Sequence, residues 1–341
     1  MGGQIGWGLM LVLLGGALNG SFVAPMKRLA NWRWENTWLI YVITGLIIVP
    51  WLVAMGTVPH LASIYHQASW PVLARVILYG FAFGIGVTMF GFGISRIGLA
   101  LGFPVTQAVA TGFGCLLPLA VLHPDQFHTH RGLALIMGTL VVIVALVFLS
   151  IAGWRREREQ NPGAAGPARS GFGVGLVICI LSGIFSSMFN FAFVFGDELK
   201  QRALAAGSSP AMASNAIWSL ALSSSFIANA AYCIYLLNKN HTWGVFIIKG
   251  TGTAYWLGGA LMGVVWFGGV ILYGMGAVAL GPLGGIVGWP VFLSTVIIAG
   301  VTWGIASGEW KGSSRTSMGY CLVGLGILFL AIAVIARGNA A

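Results

Sequence analysis

Residues 153–170 read GWRREREQNPGAAGPARS and form the one long polar stretch in a chain of 341 residues. Outward from it on both sides the sequence is apolar, and a segment needs about 20 apolar residues to cross ~30 Å of hydrocarbon. Segments of that length occupy 5–26, 37–57, 72–94, 97–121, 133–152, 172–196, 211–237, 253–274, 281–305 and 317–336. The pattern predicts an all-α membrane protein with ten transmembrane helices. Five helices lie in residues 1–152 and five in residues 171–341, with 153–170 as the linker.

The composition agrees with this class. Hydrophobic residues make up 58% of the chain and charged residues 7%, whereas soluble domains carry roughly 25% charged residues. A soluble surface cannot be assembled from so few charges, and the high apolar and aromatic content excludes disorder. The net charge of +10 comes from basic residues scattered through short loops. Because they form no patch, we expect no nucleic-acid partner.

The basic residues instead predict an orientation. The loops that follow the odd-numbered spans, with the linker, hold 12 of the 17 Lys and Arg residues. Cytoplasmic loops carry the excess of Lys and Arg. The count therefore places the linker in the cytoplasm and both termini outside.

Two short matches relate the halves. GALNGSF (16–22) resembles GIFSSMF (183–189) at an offset of 167, and GLALGFPV (98–105) resembles GGIVGWPV (284–291) at an offset of 186. The matches fall in spans 1 and 6 and in spans 4 and 9, which are corresponding helices. Since five is odd, two similar halves would insert with opposite topology. We therefore predict two inverted five-helix repeats.

Uncharged polar residues inside the spans are the candidate binding groups. An amide buried in hydrocarbon needs a partner or a water-lined cavity. Amides interleaved with aromatic rings suit a neutral, hydroxyl-rich ligand, because amides exchange hydrogen bonds with hydroxyls and rings cover the C–H face of a sugar. Ordinary interhelical packing is the alternative for each residue. The predicted ligand-binding residues are Asn19, Gln107, Asn190, Asn215, Trp266 and Trp289.

Pro104 and Pro290 occupy equivalent positions in spans 4 and 9. Each removes a backbone donor and frees the carbonyl four residues earlier, at Ala100 and Ile286. Breaks in matched helices are typical of a midplane site or a hinge, so both prolines are hinge candidates. A tolerated kink is the alternative.

None of the seven acidic residues lies deep in a span. A proton-coupled carrier usually needs a titrating group near its site, and Glu35, where span 2 begins, is the candidate. The chain has no Walker A motif, no GxSxG, no HExxH and no acidic metal cluster. We therefore expect neither an enzyme nor a bound metal or cofactor.

Four segments resemble the L-rhamnose–proton symporter family of the drug/metabolite transporter superfamily: AP-x-K (24–27), NWRWENTW (31–38), SGIFSSMFNFAF (182–193) and GEWK (308–311). The resemblance implies five-plus-five inverted repeats around a central cavity. It also implies uptake of a deoxyhexose with a proton across the bacterial inner membrane. Spans 8 and 9 are less similar to the family than the other segments, which leaves another monosaccharide open as the substrate. Other branches of the superfamily are usually drawn with cytoplasmic termini, whereas the Lys and Arg count of this chain places both termini outside.

The sequence thus predicts a multi-pass carrier in the lipid bilayer that imports a neutral monosaccharide, L-rhamnose or a relative, by proton symport with alternating access. A metabolite or drug exporter of the same superfamily is the alternative, and a non-transporting membrane sensor is a third. The expected partners are a sugar and a proton. Oligomeric state is left open, with a homodimer as one option.

Overall fold

The computed structural model describes residues 2–160, 172–248 and 252–340, and within these ranges the chain is helical without a strand. Ten of its helical stretches are long and apolar enough to cross a membrane, which confirms the predicted class. The helices are α1 (Gly2–Ser21), α2 (Trp34–Val42), α3 (Val49–Thr57), α4 (Leu61–Gln67), α5 (Trp70–Ile97), α6 (Leu99–Leu122), α7 (His130–Gln160), α8 (Phe172–Phe195), α9 (Asp197–Ala205), α10 (Asn215–Lys239), α11 (Thr253–Ala279), α12 (Gly284–Ala306) and α13 (Arg315–Ala340).

Two spans contain more than one helix. A π-helical turn, Ile43–Ile48, joins α2 to α3 to make the second span, and α9 continues the sixth span after α8. The short helix α4 lies between the second and third spans. Gly98 alone joins α5 to α6, with the positive φ of 81° that glycine adopts without strain.

The helix α7 extends further than predicted, because residues 153–160 continue it instead of beginning the linker. These polar residues find partners at the end of the bundle. The Glu159 carboxylate accepts hydrogen bonds from the backbone N–H of Ser314 at 2.8 Å and from the Ser317 hydroxyl at 2.8 Å. The Arg156 guanidinium lies 5.0 Å from the centre of the Trp310 ring. The rest of the predicted linker, 161–170, lies outside the described residues.

The helix pairs follow a regular pattern. Helix α1 of the first half packs against α11 and α12 of the second half. Helix α8 of the second half packs against α5 and α6 of the first half. The fifth and tenth spans, α7 and α13, pack against each other. Each span of one half corresponds to the span five positions away in the other half. If corresponding spans are exchanged, the same pairs of spans are in contact. The pattern is that expected of two related halves, and their inverted orientation stays a prediction.

Matched glycines bring these helices close together. A Cβ atom at Gly16 of α1 would lie 2.7 Å from the carbonyl oxygen of Phe292 in α12. At the corresponding Gly183 of α8, a Cβ atom would lie 2.7 Å from the carbonyl oxygen of Thr106 in α6. The offsets of 167 and 186 relate these two contacts residue by residue. Glycine is needed at both because a side chain would push the backbones apart.

Candidate substrate site

A cavity of about 230 Å³ lies inside the bundle, between α1, α5, α6, α8, α11 and α12. It is large enough for several water molecules or for one small ligand. Each half of the chain supplies three of the six helices, and they are corresponding helices. The lining residues are Asn19, Phe22, Phe83, Val87, Phe90, Phe103, Thr106, Gln107, Ala110, Ser186, Phe189, Trp266, Trp289, Phe292, Leu293 and Val296.

Most of the lining residues form pairs in which one residue corresponds to the other through a sequence offset between the two halves. Both members of every pair given below face the same cavity, as expected of a site between two repeats. The offset of 167 pairs Asn19 with Ser186 and Phe22 with Phe189. The offset of 186 pairs Phe103 with Trp289, Thr106 with Phe292, Gln107 with Leu293, and Ala110 with Val296.

The polar groups of the cavity are neutral. The Asn19 amide donates to the carbonyl oxygen of Trp266 at 3.3 Å, and the Thr106 hydroxyl donates to the carbonyl oxygen of Cys179 at 3.2 Å. Gln107 and Ser186 are partly buried at the same cavity. Among the described residues that line the cavity, none is charged. A charged ligand would find no countercharge here, whereas a hydroxylated one would find donors and acceptors.

Aromatic rings form much of the remaining wall. Phe189 stacks on Trp218 with ring centroids 4.6 Å apart and lies 5.9 Å from the ring of Trp289. The Trp289 ring is held in place because its indole N–H donates to the carbonyl oxygen of Ala110 at 2.9 Å. Gly114 leaves room for it, since a Cβ atom there would lie 2.4 Å from Trp289 Nε1. These rings give the cavity flat, rigid apolar surfaces.

On one side the cavity is shut by what we call the closed layer, formed by Asn190, Phe193, Trp218 and Tyr273. The Asn190 amide donates to the carbonyl oxygens of Gly114 at 2.9 Å and Gly285 at 3.0 Å. Its own oxygen accepts from the Tyr273 hydroxyl at 2.5 Å. Phe193 stacks on Trp218 at 5.3 Å. Asn190 therefore lies outside the cavity lining, tying α8 to α6, α11 and α12.

Beyond the closed layer lies a second pocket of about 650 Å³ at the opposite end of the bundle. Phe193 and Gly285 belong to its lining as well as to the closed layer or its hydrogen bonds. The pocket also carries charged residues, among them Asp197 and Lys200, which form an ion pair. The two pockets thus face opposite ends and are separated by one hydrogen-bonded aromatic layer.

Over its whole length, residues 1–341, the chain matches the model of the L-rhamnose-proton symport protein family (RhaT). The protein belongs to this family. Two similar proteins are the L-rhamnose-proton symporters of Mannheimia succiniciproducens and of Klebsiella pneumoniae subsp. pneumoniae, each 24% identical over 348 residues, with 100% of both chains covered. Another, from Escherichia coli strain 55989, is 24% identical over 346 residues with the same coverage. These relatives confirm the sequence-based recognition of the family.

This membership also fixes the broad class of the protein. The family consists of symporters rather than enzymes, and the relatives are bacterial. With ten apolar helices of spanning length, the chain is a multi-pass protein of the bacterial inner membrane. The class predicted from the polar linker and the apolar spans is confirmed.

Two of the motifs that carry the family resemblance meet in the structure. Lys27 of AP-x-K, after α1, forms an ion pair with Glu309 of GEWK, after α12, with Nζ and Oε1 2.6 Å apart. The Lys27 ammonium also donates to the Ser307 hydroxyl at 2.5 Å. Nearby, the Trp303 indole donates to the Ser21 hydroxyl at 2.8 Å. These contacts join the ends of α1 and α12 at the cavity side of the bundle.

Glu35, the predicted proton-coupling residue, lies outside the cavity lining at the beginning of α2. It is 5% exposed and is the only one of the seven carboxylates that is buried. Its oxygen accepts hydrogen bonds from the Asn240 amide at 3.0 Å and from the Thr242 hydroxyl at 2.8 Å. These neutral partners tie the start of α2 to the residues that follow α10. Nothing in this arrangement tests its role with protons, which stays a prediction.

Asn215 also lies away from the cavity. It is buried where α10 begins, and its amide donates to the Thr57 hydroxyl at 3.1 Å. Of the six predicted ligand-binding residues, the structure brings four together at the cavity: Asn19, Gln107, Trp266 and Trp289. The binding roles of all six stay predictions.

Pro104 and Pro290 lie inside α6 and α12, each directly after a residue of the cavity wall, Phe103 or Trp289. The carbonyl of Ala100, which Pro104 leaves without its helical partner, accepts a hydrogen bond from the Ser150 hydroxyl of α7 at 3.1 Å. This bond compensates for the missing helical one. A hinge role for the two prolines stays a prediction.

Sequence reasoning missed several cavity residues. The repeat contained a signal for some of them: Ser186 occupies the position of Asn19, and Phe189 that of Phe22, in the matched segments. Phe83, Val87 and Phe90 of α5 carried no such signal. They are apolar residues in an apolar helix, and only packing shows which of them face the cavity.

Proposed function

We propose that this protein imports L-rhamnose, or a closely related neutral monosaccharide, together with protons, and that the cavity is the sugar site. The observation that carries the proposal is the lining itself: neutral amides and hydroxyls set among aromatic rings, supplied by corresponding helices of the two halves. Membership of the L-rhamnose-proton symport family points to the same chemistry. In this proposal Asn19 and Gln107 bind hydroxyl groups, and Trp266 or Trp289 covers the sugar ring.

The two pockets support alternating access around this site. Phe22 and Phe90 of the cavity lie close to the ends of α1 and α5. The Lys and Arg count assigns these ends to the cytoplasm, so the cavity lies toward the cytoplasmic side of the bundle. The closed layer then separates the sugar from the outside. Transport would require this layer to open while the inner ends of the same helices come together, with Pro104 and Pro290 as hinges.

Glu35 is the carboxylate we propose for proton coupling. It is buried, it accepts hydrogen bonds from an amide and a hydroxyl, and the positive charge of Arg33 also acts on it. Hydrogen bonds donated to a carboxylate favour its charged form, so their loss in a rearrangement would favour uptake of a proton. Its place at the junction of α2 with the end of α10 would link its protonation to a rearrangement between the halves.

The function is tested by uptake into proteoliposomes that contain the purified protein. We expect saturable accumulation of labelled L-rhamnose under an inward proton gradient, and little without the gradient. A panel of a dozen sugars, including hexoses and pentoses, defines the range. Absence of accumulation for every sugar would overturn the proposal, and gradient-dependent efflux of unrelated compounds would favour an exporter.

Glu35→Gln separates sugar binding from proton coupling. Because Glu35 lies outside the cavity, we expect this variant to retain sugar exchange across the membrane and to lose accumulation driven by the gradient. Glu157→Gln, at a carboxylate on the polar end of α7, is the matched control and should accumulate sugar normally. Equal accumulation by Glu35→Gln and the unmodified protein would remove Glu35 from the role.

A further inference from the structure

The two repeats place different chemistry at corresponding positions of the cavity. Thr106 and Gln107 of α6 are polar, whereas their counterparts in α12, Phe292 and Leu293, are apolar. One turn further along α12, Val296 extends the apolar surface. The cavity therefore has a hydrogen-bonding wall on α6 and an apolar wall on α12.

The apolar wall is fixed in position. A Cβ atom at Gly16 would lie 2.7 Å from the carbonyl oxygen of Phe292, so α1 presses directly on the backbone of α12 at this point. The indole hydrogen bond from Trp289 to Ala110 ties the same helix to α6. Because the backbone is held from two sides, the side chains of α12 decide which ligand group fits against it.

We propose that this wall, formed by Phe292, Leu293 and Val296, receives the C6 methyl group of a 6-deoxy sugar, and that Leu293 selects against a C6 hydroxyl. The proposal rests on the proposed function, in which a sugar occupies the cavity. It assigns the orientation of the sugar: the ring hydroxyls face Gln107 and Thr106, and the methyl end faces Leu293.

The opposite orientation costs hydrogen bonds at both ends of the ligand. With the methyl group against α6, the Gln107 amide would lose its water without gaining a partner, and ring hydroxyls would face the apolar wall. A buried polar group without a partner is unfavourable on either molecule. The same reasoning applies to a hexose in the favoured orientation, because its C6 hydroxyl would lie against Leu293. An apolar site discriminates against an added hydroxyl by up to ~100-fold.

Three sugars isolate this contact. L-Rhamnose, L-mannose and L-lyxose share one ring and differ at C5, which carries a methyl group, a hydroxymethyl group or a hydrogen. Their affinities are measured by competition against labelled L-rhamnose in proteoliposomes. We expect the unmodified protein to bind L-rhamnose at least ~10-fold more tightly than L-mannose, with L-lyxose between them.

Leu293→Gln installs the side chain of the corresponding position in the other repeat. We expect it to lower the preference for L-rhamnose over L-mannose about tenfold, mainly by tightening L-mannose binding. Leu293→Met, which keeps the site apolar, should leave the preference unchanged. Gln107→Leu should weaken both sugars by the same factor, because both present the same ring hydroxyls to α6.

The outcomes separate this inference from the proposed function. Should no sugar compete or accumulate, both are overturned. If L-rhamnose is transported but binds no more tightly than L-mannose, only the orientation is wrong. Val296→Thr, which changes shape very little, repeats the test if Leu293→Gln is not recovered as a folded protein, and should favour L-mannose several-fold. Saturable L-rhamnose uptake with an unchanged preference in these variants would overturn the role of the apolar wall.

Discussion

The cavity and the closed layer contain the same kinds of residues and use them in opposite ways. In the closed layer, Asn190 is held by two backbone carbonyls and by the Tyr273 hydroxyl. In the cavity, Asn19 makes one longer hydrogen bond, at 3.3 Å, and borders open space. An amide among aromatic rings is therefore a structural clamp in one layer and a candidate ligand-binding group in the layer next to it.

The difference lies in how many partners each amide has already found. A saturated amide inside a membrane protein stabilises one conformation, because opening it exposes several polar groups to a medium without water. An incompletely bonded amide beside a cavity is available to a ligand. Perturbing one layer should thus change stability, and perturbing the other should change binding.

Replacement of Asn190 is expected to have the largest effect. In Asn190→Ala the carbonyls of Gly114 and Gly285 lose a donor, and only the Gly285 carbonyl keeps the Tyr273 hydroxyl as a partner. The cost is about 1–3 kcal/mol for a buried group left unsatisfied. Thermal unfolding in detergent should show a clearly lowered midpoint. Asn238→Ala, at an exposed amide at the end of α10 that accepts one hydrogen bond from the Trp243 indole, is the control and should lower the midpoint far less. An unchanged midpoint for Asn190→Ala would mean that the closed layer is not a clamp.

Gly114 lies at the boundary between the two layers. Gly114→Ala would place a Cβ atom 2.4 Å from Trp289 Nε1, so the indole would have to move away from Ala110. We expect a loss of about 1–3 kcal/mol in the free energy of unfolding, as for other overpacked sites. Gly112→Ala on the same helix meets nothing within 4 Å and should be neutral. Similar stability of the two variants would show that Trp289 does not depend on this contact.

Asn19 tests the cavity side of the comparison. Asn19→Ala should weaken sugar binding about tenfold, since one hydrogen bond contributes roughly 1–1.5 kcal/mol. Its unfolding midpoint should fall far less than that of Asn190→Ala, because only one weak internal bond is lost. Competition binding and thermal unfolding on the same preparation measure both quantities. The reverse pattern, with stability lost and binding kept, would contradict the assignment of Asn19 to the ligand.

The ion pair at the cavity end should contribute least. Lys27 and Glu309 have 52% and 45% of their side-chain surface exposed, and such pairs contribute about 0–1 kcal/mol. We expect Glu309→Gln to lower the stability of the protein slightly in low salt and not at all in high salt, as screening predicts. A large loss that persists in high salt would mean that this end is clamped as firmly as the closed layer.

Much of the architecture could be predicted from the sequence. Long apolar segments and a polar linker indicated ten spans, because backbone polar groups inside hydrocarbon must find partners within the protein, and a helix supplies them within one segment. The two short matches, at offsets of 167 and 186, also pointed to residues that now line one cavity. The end of α7 was placed too early, since its charged last turns are stabilised by contacts with the start of α13 that no local pattern reveals.

The candidate site was only partly predictable. Asn19, Gln107, Trp266 and Trp289 were grouped on chemistry alone and do meet at the cavity, whereas Asn190 and Asn215 carry the same chemistry and do not. Ser186 could have been found from its match to Asn19. The α5 residues could not, because every face of such a helix is apolar.

The sequence by itself determined that this protein is a helical membrane carrier of one family, since hydrophobicity, length and motifs are properties of single segments. Only the tertiary structure decided which amide is saturated and which faces a cavity. A hydrogen-bonding partner such as the carbonyl of Gly285 comes from a helix ninety-five positions along the chain from Asn190. Whether a polar group binds a neighbour or a ligand depends on those distant contacts, so it is settled by packing and not by residue type.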